Sequence, residues 1–206
     1  MLLIIVGTGA MGKTIMDCAQ EEGFFEDIYM VEPLKNNWPD QKASAIIDFS
    51  HPRAINGIYE YCKRQNGNIP VVIGTTGQGP EEEYVIELLE KICPVVKKSN
   101  FSRGIHALNK VVELCNRTLT GSDVVICETH HTNKKDAPSG TAKTLCDILG
   151  VPYVDALSMR MGTVPGEHTV RFALPDEVIE IKHTAFSKKI FAKGALEEAK
   201  LLIKID

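Results

Sequence analysis

The first half of the chain alternates between short apolar runs and stretches with apolar residues at helical spacing. Leu2 to Val6 is an unbroken apolar run, which is typical of a strand buried on both faces. A helical pattern then extends from Met11 to a stop at Gly23. Because strands that alternate with helices form parallel sheets, the pattern predicts an α/β domain. Further predicted strands are 28–31, 45–49, 71–73 and 93–97, and further predicted helices end near Gly67 and cover 81–92.

The pattern changes near residue 102. A helix is predicted at 105–119, and consecutive alternating segments later in the chain predict neighbouring strands. This half therefore predicts an α+β domain with a mixed or antiparallel sheet. The domains are expected to be 1–101 with 187–206, and 102–186. The other predicted elements of this half are strands 123–127, 169–173 and 178–183, a helix at 139–149 and an amphipathic helix after Ser187.

Residues 7–12 read G-T-G-A-M-G and stand between the first strand and the first helix. About 20 residues later the second strand ends at Glu32, as expected of a dinucleotide-binding fingerprint. The alternative is a glycine-rich turn without a ligand, but this placement favours a Rossmann-like nucleotide site. Polar residues follow the ends of all five strands, and in a parallel sheet these ends face one crevice.

Residues 128–142 read E-T-H-H-T-N-K-K-D-A-P-S-G-T-A and form a polar stretch that enters a helix. Pro138 suits a first helical turn, and the backbone N–H groups of a helix start favour anions. We therefore predict a carboxylate- or phosphate-sized anion site with titratable groups around it. A solvated surface loop is one alternative. Another is a metal site of Cys127, His130 and His131, which the lack of a second ligand pair disfavours.

Composition and charge argue against two classes of partner, nucleic acids and membranes. The chain has 206 residues, 44% hydrophobic and 24% charged, with a net charge of −4, which argues against a nucleic-acid surface. No apolar segment reaches membrane-spanning length, so we expect no membrane partner. The six cysteines are scattered without a C-x-x-C motif, which predicts reduced thiols in a cytoplasmic protein.

Further motifs accompany the two described above, and the full series is G-T-G-A-M-G at 7–12, D-F-S-H-P at 48–52, I-G-T-T-G at 73–77, S-N-F-S-R-G at 99–104, the stretch 128–142 and G-E-H-T-V at 166–170. In these motifs and in their order, the chain resembles one known family, the dihydrodipicolinate reductases of lysine and diaminopimelate synthesis. The chain differs from typical members in being shorter, with residues missing between Glu32 and Asp48 and between Val154 and Gly166. It also has Thr132-Asn133 where many members have a more basic pair.

The resemblance implies an enzyme that transfers hydride from NADH or NADPH to a cyclic dicarboxylate, giving tetrahydrodipicolinate. By position in the motif, His130 resembles the general acid and Lys134 the substrate-binding and catalytic lysine. His131 resembles a neighbour that contacts substrate. The residues Ser139, Gly140 and Thr141 would hold a substrate carboxylate at the helix start.

The resemblance also assigns cofactor residues on the first domain, with no metal. Because Glu32 would accept from the ribose hydroxyls and no arginine stands beside it, we expect NADH to be used at least as well as NADPH. The family resemblance suggests a homotetramer formed through the second-domain sheets. The assigned cofactor-binding residues are Gly7, Gly9, Ala10, Met11, Gly12, Glu32, Gly74, Thr75, Thr76, Ser99, Asn100 and Phe101.

Two other functions remain open from the residues. One is a different two-domain NAD(P)-dependent oxidoreductase, which would share the first domain and differ in the stretch 128–142. The other is a non-catalytic NADH-binding regulator, which would require a recognition surface that the sequence does not contain. Arg160, Lys182 and His168 are interpreted as solvated or structural residues.

Overall fold

The structure, a computed structural model, describes residues 1–35 and 37–203. The chain divides into two compact units. The first contains Met1–Phe101 and the chain from Phe191 onwards, and the second is Ser102–Ile190. The sequence places these boundaries after residues 101 and 186, so the second boundary lies later in the structure, within the first turn of the last helix.

The first unit is built on a five-stranded, fully parallel sheet with the order β2-β1-β3-β4-β5. The predicted Rossmann-like α/β domain is thus confirmed. A short 3₁₀ turn, Pro33–Lys35, follows β2. The strands are β1 (Leu2–Val6), β2 (Asp27–Val31), β3 (Ala45–Asp48), β4 (Val71–Ile73) and β5 (Val95–Lys97), and the helices are α1 (Ala10–Glu22), α2 (Ala54–Arg64), α3 (Pro80–Glu90) and, after the second unit, α6 (Lys189–Ile203).

This sheet separates two apolar cores because successive side chains of a strand point to opposite faces. Leu2, Ile4 and Val6 of β1 pack in one core with residues of α2 and α3. Leu3 and Ile5 pack in the other with residues of α1 and α6. Both faces of the sheet are therefore covered, as the unbroken apolar run of β1 predicts.

The second unit contains a four-stranded mixed sheet with the order β7-β6-β8-β9. The β6–β7 pair is parallel, whereas β8 is antiparallel to both of its neighbours. The predicted α+β domain is confirmed, and its sheet is mixed. The elements are α4 (Arg103–Thr118), β6 (Asp123–His130), α5 (Gly140–Leu149), β7 (Leu157–Arg160), β8 (Glu167–Leu174) and β9 (Glu177–Thr184).

The two faces of this second sheet have different surroundings. Ile126 of β6 lies in an apolar core with residues of α4 and α5, and its strand neighbours on the same face are Glu128 and His130. On the opposite face, Val125 of β6 and Met159 of β7 are exposed. Polar residues two positions apart on β6 are therefore carried on the covered face.

Three local expectations in the second unit differ from the structure. The predicted strand ends at Cys127, but β6 continues to His130 because its last residues pair with β7 and β8. Strand β7 was not predicted. Pro138 lies before the helix and not in its first turn, because Ser139 is the N-cap of α5 and its hydroxyl accepts from the N–H of Ala142 at 3.2 Å.

All six cysteines are free, and four of them are buried. The predicted reduced state is therefore compatible with the structure. Among the described helices, none is long and apolar enough to cross a membrane.

Candidate active site

A buried carboxylate and a histidine are paired at the end of β6. Oε2 of Glu128 is hydrogen-bonded to Nδ1 of His130. The other carboxylate oxygen accepts from Nη2 of Arg160 at 2.9 Å, and Arg160 stands opposite His130 on β7. The Glu128 side chain is fully buried, so its charge depends on these partners. This arrangement is suited to holding an imidazole in one orientation.

The pKa values of the pair follow from burial and from these contacts. Burial alone would raise the pKa of the Glu128 carboxyl, but hydrogen bonds from Arg160, Ser158 and His130 hold it below its usual range. Burial is also the main reason that the pKa of His130 is lowered, and it outweighs the opposing effect of Glu128. Because an ionised Glu128 can only accept, Nδ1 of His130 must carry the hydrogen that they share.

A second histidine, His168 of β8, lies beside His130. The two ring centroids are 5.2 Å apart with the rings edge to face. Nε2 of His168 lies 3.1 Å from the hydroxyl oxygen of Ser139, which links it to the start of α5. Burial first, and then the charge of His130, lower the pKa of His168 to about 3, so this ring is neutral at physiological pH.

Lys134 lies in the segment between β6 and α5, close to the same cluster. Its ammonium donates to Oδ1 of Asp136 at 2.8 Å, and its side chain is 22% exposed. Arg160 donates to the carbonyls of Lys134 and Asp136, which ties this segment to β7. His131 is half-buried, and Gly140 and Thr141 begin α5. The second unit therefore brings the predicted catalytic and substrate-binding residues to one end of its sheet.

A cation could approach Glu128, His130 and His168, since one possible ligand atom from each lies within 4.8 Å of the others. However, the oxygens of Glu128 already accept hydrogen bonds, and Arg160 and Lys134 add positive charge. We therefore assign no metal site there. The alternative with Cys127 is not formed, because Cys127 and His130 project to opposite faces of β6.

In the first unit, a cavity of about 460 Å³ lies at the carboxyl ends of the strands. Gly7 lines it with a φ of +113°, and a Cβ there would lie 2.5 Å from the carbonyl oxygen of Phe49. A Cβ on Gly9 would meet no described atom within 4 Å, so that side of the loop is open. The cavity and the bare glycine loop fit a bound dinucleotide. The lining residues are Gly7, Thr8, Gly9, Glu32, Pro33, Phe49, Ser50, His51, Arg53 and Ala54.

The other predicted cofactor residues are not among those that line this cavity. Ala10 and Met11 begin α1, and Gly12 is required because a Cβ there would lie 1.9 Å from the carbonyl oxygen of Gly7. The other residues follow two neighbouring strands at the same edge of the sheet. Gly74, Thr75 and Thr76 follow β4, and Ser99, Asn100 and Phe101 follow β5.

A buried acid lies under the cavity edge and was not singled out from the sequence. Asp48, the last residue of β3, accepts hydrogen bonds from the hydroxyls of Ser50 and Thr75. The N–H of Ser50 donates to Oγ1 of Thr75 at 2.8 Å. Burial raises the pKa of the Asp48 carboxyl to about 6, against the lowering effect of these hydrogen bonds. The three side chains connect the segments after β3 and β4.

Glu128 and Arg160 are two further site residues that the sequence motifs did not assign to the site. The interpretation of Arg160 as a solvated charge is wrong, because its side chain is 20% exposed and donates to four oxygens. The E-x-H spacing of Glu128 and His130 would have indicated a shared face, had the strand been predicted to continue. His168 is structural in the sense that it is buried, but it also contacts His130.

Comparison with known proteins gives the family. A family model described as "Dihydrodipicolinate reductase, N-terminus" matches residues 1–101, and one described as "Dihydrodipicolinate reductase, C-terminus" matches residues 104–205. The chain belongs to the dihydrodipicolinate reductase family. The family predicted from the sequence motifs is thereby confirmed, and with it an oxidoreductase that uses a pyridine nucleotide.

Relatives in this reductase family match nearly the whole chain. The 4-hydroxy-tetrahydrodipicolinate reductase of Thermosipho africanus is 40% identical, over 95% of this chain and 88% of the relative. The enzyme of the same name from Caldanaerobacter subterraneus is 38% identical, over 98% and 92%. That alignment has 236 positions against the 206 residues of this chain, so the relative carries residues that this reductase lacks.

Solved structures agree on the fold of the reductase. A dipicolinate-bound dihydrodipicolinate reductase from Paenisporosarcina sp. TG-14 superposes with a TM-score of 0.70 at 20% identity, covering 98% of this chain and 94% of that one. An aspartate dehydrogenase from Thermotoga maritima gives a TM-score of 0.53 at 17% identity, covering 98% and 96%. The fold is thus shared with other dehydrogenases, and the family match distinguishes this chain from them.

Proposed function

We propose that the chain reduces 4-hydroxy-tetrahydrodipicolinate to tetrahydrodipicolinate with a nicotinamide dinucleotide, as a step of lysine and diaminopimelate synthesis. The substrate takes up a hydride and a proton, and its 4-hydroxyl group leaves as water. Its relatives carry the name of this reductase at 38–40% identity over nearly the whole chain. The observation that carries the proposal is the buried Glu128–His130 pair next to Lys134 and the start of α5. These groups together suit a substrate that is an anion and accepts a proton.

The substrate carboxylates would bind to the second unit. The first backbone N–H groups of α5, at Gly140 and Thr141, favour an anion there. The Lys134 ammonium would exchange Asp136, whose side chain is 52% exposed, for a substrate carboxylate. His131, half-buried in the same segment, would be the neighbouring contact. This assignment gives a role to the two cations, Lys134 and Arg160, that lie beside His130 in a protein of net charge −4.

The acid–base step would belong to His130. When bound, the dinucleotide supplies the hydride that reduces the substrate ring. Glu128 holds Nδ1, so Nε2 of His130 is the atom that would deliver a proton to the reduced ring. Gly166 keeps that side clear, since a Cβ on it would lie 3.1 Å from Nε2.

An NADH-oxidation assay tests this function, with substrate generated in situ by an aldolase from pyruvate and aspartate semialdehyde. Wild-type protein should oxidise NADH only when both precursors and the aldolase are present. His130→Gln should lower kcat by about 10²–10⁴ with NADH affinity preserved, since a positioned acid contributes about that much. His106→Gln, at an exposed position on α4, is the matched control. Absence of substrate-dependent oxidation by the wild type would refute the proposal.

For the cofactor, we propose that NADH is used at least as well as NADPH. Glu32 lines the cavity and its carboxylate disfavours a 2′-phosphate. Lys35 is paired with Glu32 at 2.8 Å, which offsets its positive charge. His51 and Arg53 line the same cavity, so NADPH should also be accepted.

We further propose a homotetramer assembled through the exposed face of the second sheet. Val125, Leu157 and Met159 are apolar and exposed on this face, each by more than 40%. Such patches favour association. Met159→Lys should therefore reduce the mass measured by light scattering, whereas Val111→Lys on α4 should not.

We also propose a cytoplasmic location, which the six free cysteines support.

A further inference from the structure

Arg160 connects the Glu128–His130 pair to residues 134–136, the segment that carries Lys134. Its guanidinium donates to Oε1 of Glu128 at 2.9 Å and to the carbonyl oxygen of Asp136 at 2.6 Å. It also donates to the carbonyl oxygens of Lys134 at 3.2 Å and of Met159 at 2.7 Å. A planar guanidinium can serve several acceptors in fixed directions, which an ammonium cannot. Arg160 therefore fixes both the carboxylate and the backbone that carries Lys134.

Glu128 is used on both of its oxygens. Oε2 is bonded to His130, while Oε1 accepts from Arg160 and, at 3.3 Å, from the N–H of Ser139. The carboxylate is thus held by His130, Arg160 and Ser158 and by the backbone N–H of Ser139, the N-cap of α5. Its orientation cannot change without losing a partner in a buried position.

The orientation of Glu128 decides which nitrogen of His130 is available. With Nδ1–H donated to the carboxylate, the neutral ring leaves Nε2 without hydrogen, and the protonated ring presents its transferable proton at Nε2. The missing side chain at Gly166 leaves room beside that atom.

We propose that Glu128 and Arg160 are positioning residues of the reductase: Glu128 fixes the tautomer of His130 so that Nε2 delivers the proton, and Arg160 fixes Glu128 together with Lys134. This inference rests on the proposed function for its kinetic consequences, but the tautomer itself is a property of the protein without substrate. The charged and titratable groups around His130 are Glu128 of the same strand, Arg160 of β7, Lys134 of the following segment and His168 of β8.

The variant Glu128→Gln keeps the size of the side chain and changes only the hydrogen bond that it makes to His130. Its amide oxygen should keep the two donors Arg160 and Ser139, which leaves the NH₂ group facing Nδ1 of His130. The neutral ring must then accept at Nδ1 and carry its hydrogen on Nε2. Protonation of that ring would place two donors face to face, so the acid form becomes harder to reach.

The first readout is the nitrogen NMR of the histidine side chains in the protein without substrate. In the wild type, His130 should titrate from a neutral form with hydrogen on Nδ1. In Glu128→Gln the neutral form should carry hydrogen on Nε2, and the titration should move to lower pH by about one to two units. The same tautomer in both proteins would overturn the proposal, whatever reaction the enzyme catalyses.

The second readout is kinetic. Glu128→Gln should lower kcat by about 10- to 100-fold, less than loss of the acid itself, with KM little changed. Because Glu128 acts through His130, the same substitution in the His130→Gln background should change kcat by less than about twofold. An equal loss in both backgrounds would show a general structural effect and contradict the proposal. NADH affinity, measured by calorimetry, confirms that each variant is folded.

Arg160→Lys tests the connection to Lys134. One ammonium cannot replace four hydrogen bonds, so KM should rise by about tenfold as the 134–136 segment loosens, and kcat should fall as well. The matched controls are Arg117→Lys and Glu113→Gln, which alter an exposed ion pair of 3.6 Å on α4. An unchanged KM in Arg160→Lys would contradict the proposal that Arg160 fixes the position of Lys134. If neither the wild type nor any variant shows reductase activity, the proposed function fails. The NMR comparison still shows whether Glu128 sets the tautomer of His130.

Discussion

At the scale of the residue, the protonation of His130 controls the proposed chemistry. Burial is the largest influence and lowers its pKa from the ordinary value of 6.5, with Lys134 and Arg160 acting in the same direction and Glu128 opposing them. The free enzyme therefore holds a mostly neutral imidazole at pH 7. A dicarboxylate substrate would bring negative charge beside the ring and stabilise its protonated form.

This gives a pH dependence with a defined sign. In the free enzyme, acid function should be lost as pH rises through a value below 6.5, which is read from kcat/KM. In the substrate complex the pKa should be higher, so the corresponding decline in kcat should occur at higher pH. Both profiles are measured by NADH oxidation. Identical midpoints for kcat and kcat/KM would show that substrate charge does not reach His130.

Cofactor choice is also a residue-scale question, because it depends on the cations near Glu32. Arg53 lines the nucleotide cavity and is exposed, whereas Lys35 is paired with Glu32. Arg53→Met should lower kcat/KM for NADPH by about tenfold and leave NADH almost unchanged, because only NADPH carries the 2′-phosphate. Arg64→Met, whose guanidinium bonds the carbonyl of Pro39, is the control. Equal losses of kcat/KM for NADPH and NADH would show that Arg53 does not contact the 2′-phosphate.

At the scale of the element, the start of α5 is the proposed carboxylate site. Pyridine-2,6-dicarboxylate shares the two carboxylates of the substrate but cannot accept hydride, so it should inhibit competitively. Thr141→Val keeps the shape and removes one hydroxyl, which should weaken this inhibitor by about ten- to hundredfold. Calorimetry measures the inhibitor and NADH separately.

The control for this prediction is Thr118→Val in the last turn of α4, whose hydroxyl donates to the carbonyl of Leu114. It should leave both affinities unchanged. If Thr141→Val weakens NADH as much as the inhibitor, the substitution has damaged the fold. If it weakens neither, the carboxylate does not bind at Thr141.

The elements also show what the sequence could and could not predict. In the first unit, short apolar strands alternate regularly with helices, so the order of these elements could be predicted from the sequence. Glu128 was not recognised because the polar residues after Cys127 resemble a loop, although pairing with β7 and β8 extends the strand to His130. Arg160 comes from β7, and no local pattern reveals which residue of another strand stands opposite His130. Contacts that depend on register were therefore the part that sequence reasoning could not supply.

At the scale of the whole molecule, stability should depend on the pH through Asp48. Its pKa is raised from 3.8 to about 6 by burial. Between these values the unfolded chain has lost the proton and the native protein keeps it, so stability falls as pH rises through this range. The loss is of order 3 kcal/mol, and above pH 6 it is complete.

Asp48→Asn removes this dependence while keeping a side chain of the same shape. The melting temperature of the variant relative to wild type should therefore be higher well above pH 6 than well below pH 3.8. Asp17→Asn at an exposed position on α1 is the control. A difference in melting temperature that does not change with pH would show that Asp48 does not titrate in this range.

The two faces of β6 restrict which changes the protein can accept over evolutionary time. Glu128 and His130 point to the covered face while Val125 and Cys127 point away, and the positions alternate one by one. Inserting or deleting a single residue inside the strand would exchange the faces, bringing the Cys127 thiol or the Thr129 hydroxyl into the acid–base cluster. A substitution changes one side chain at a time, whereas a change of length displaces every side chain beyond it to the other face. We expect gene-length variation among relatives to avoid this strand and to collect in connecting segments.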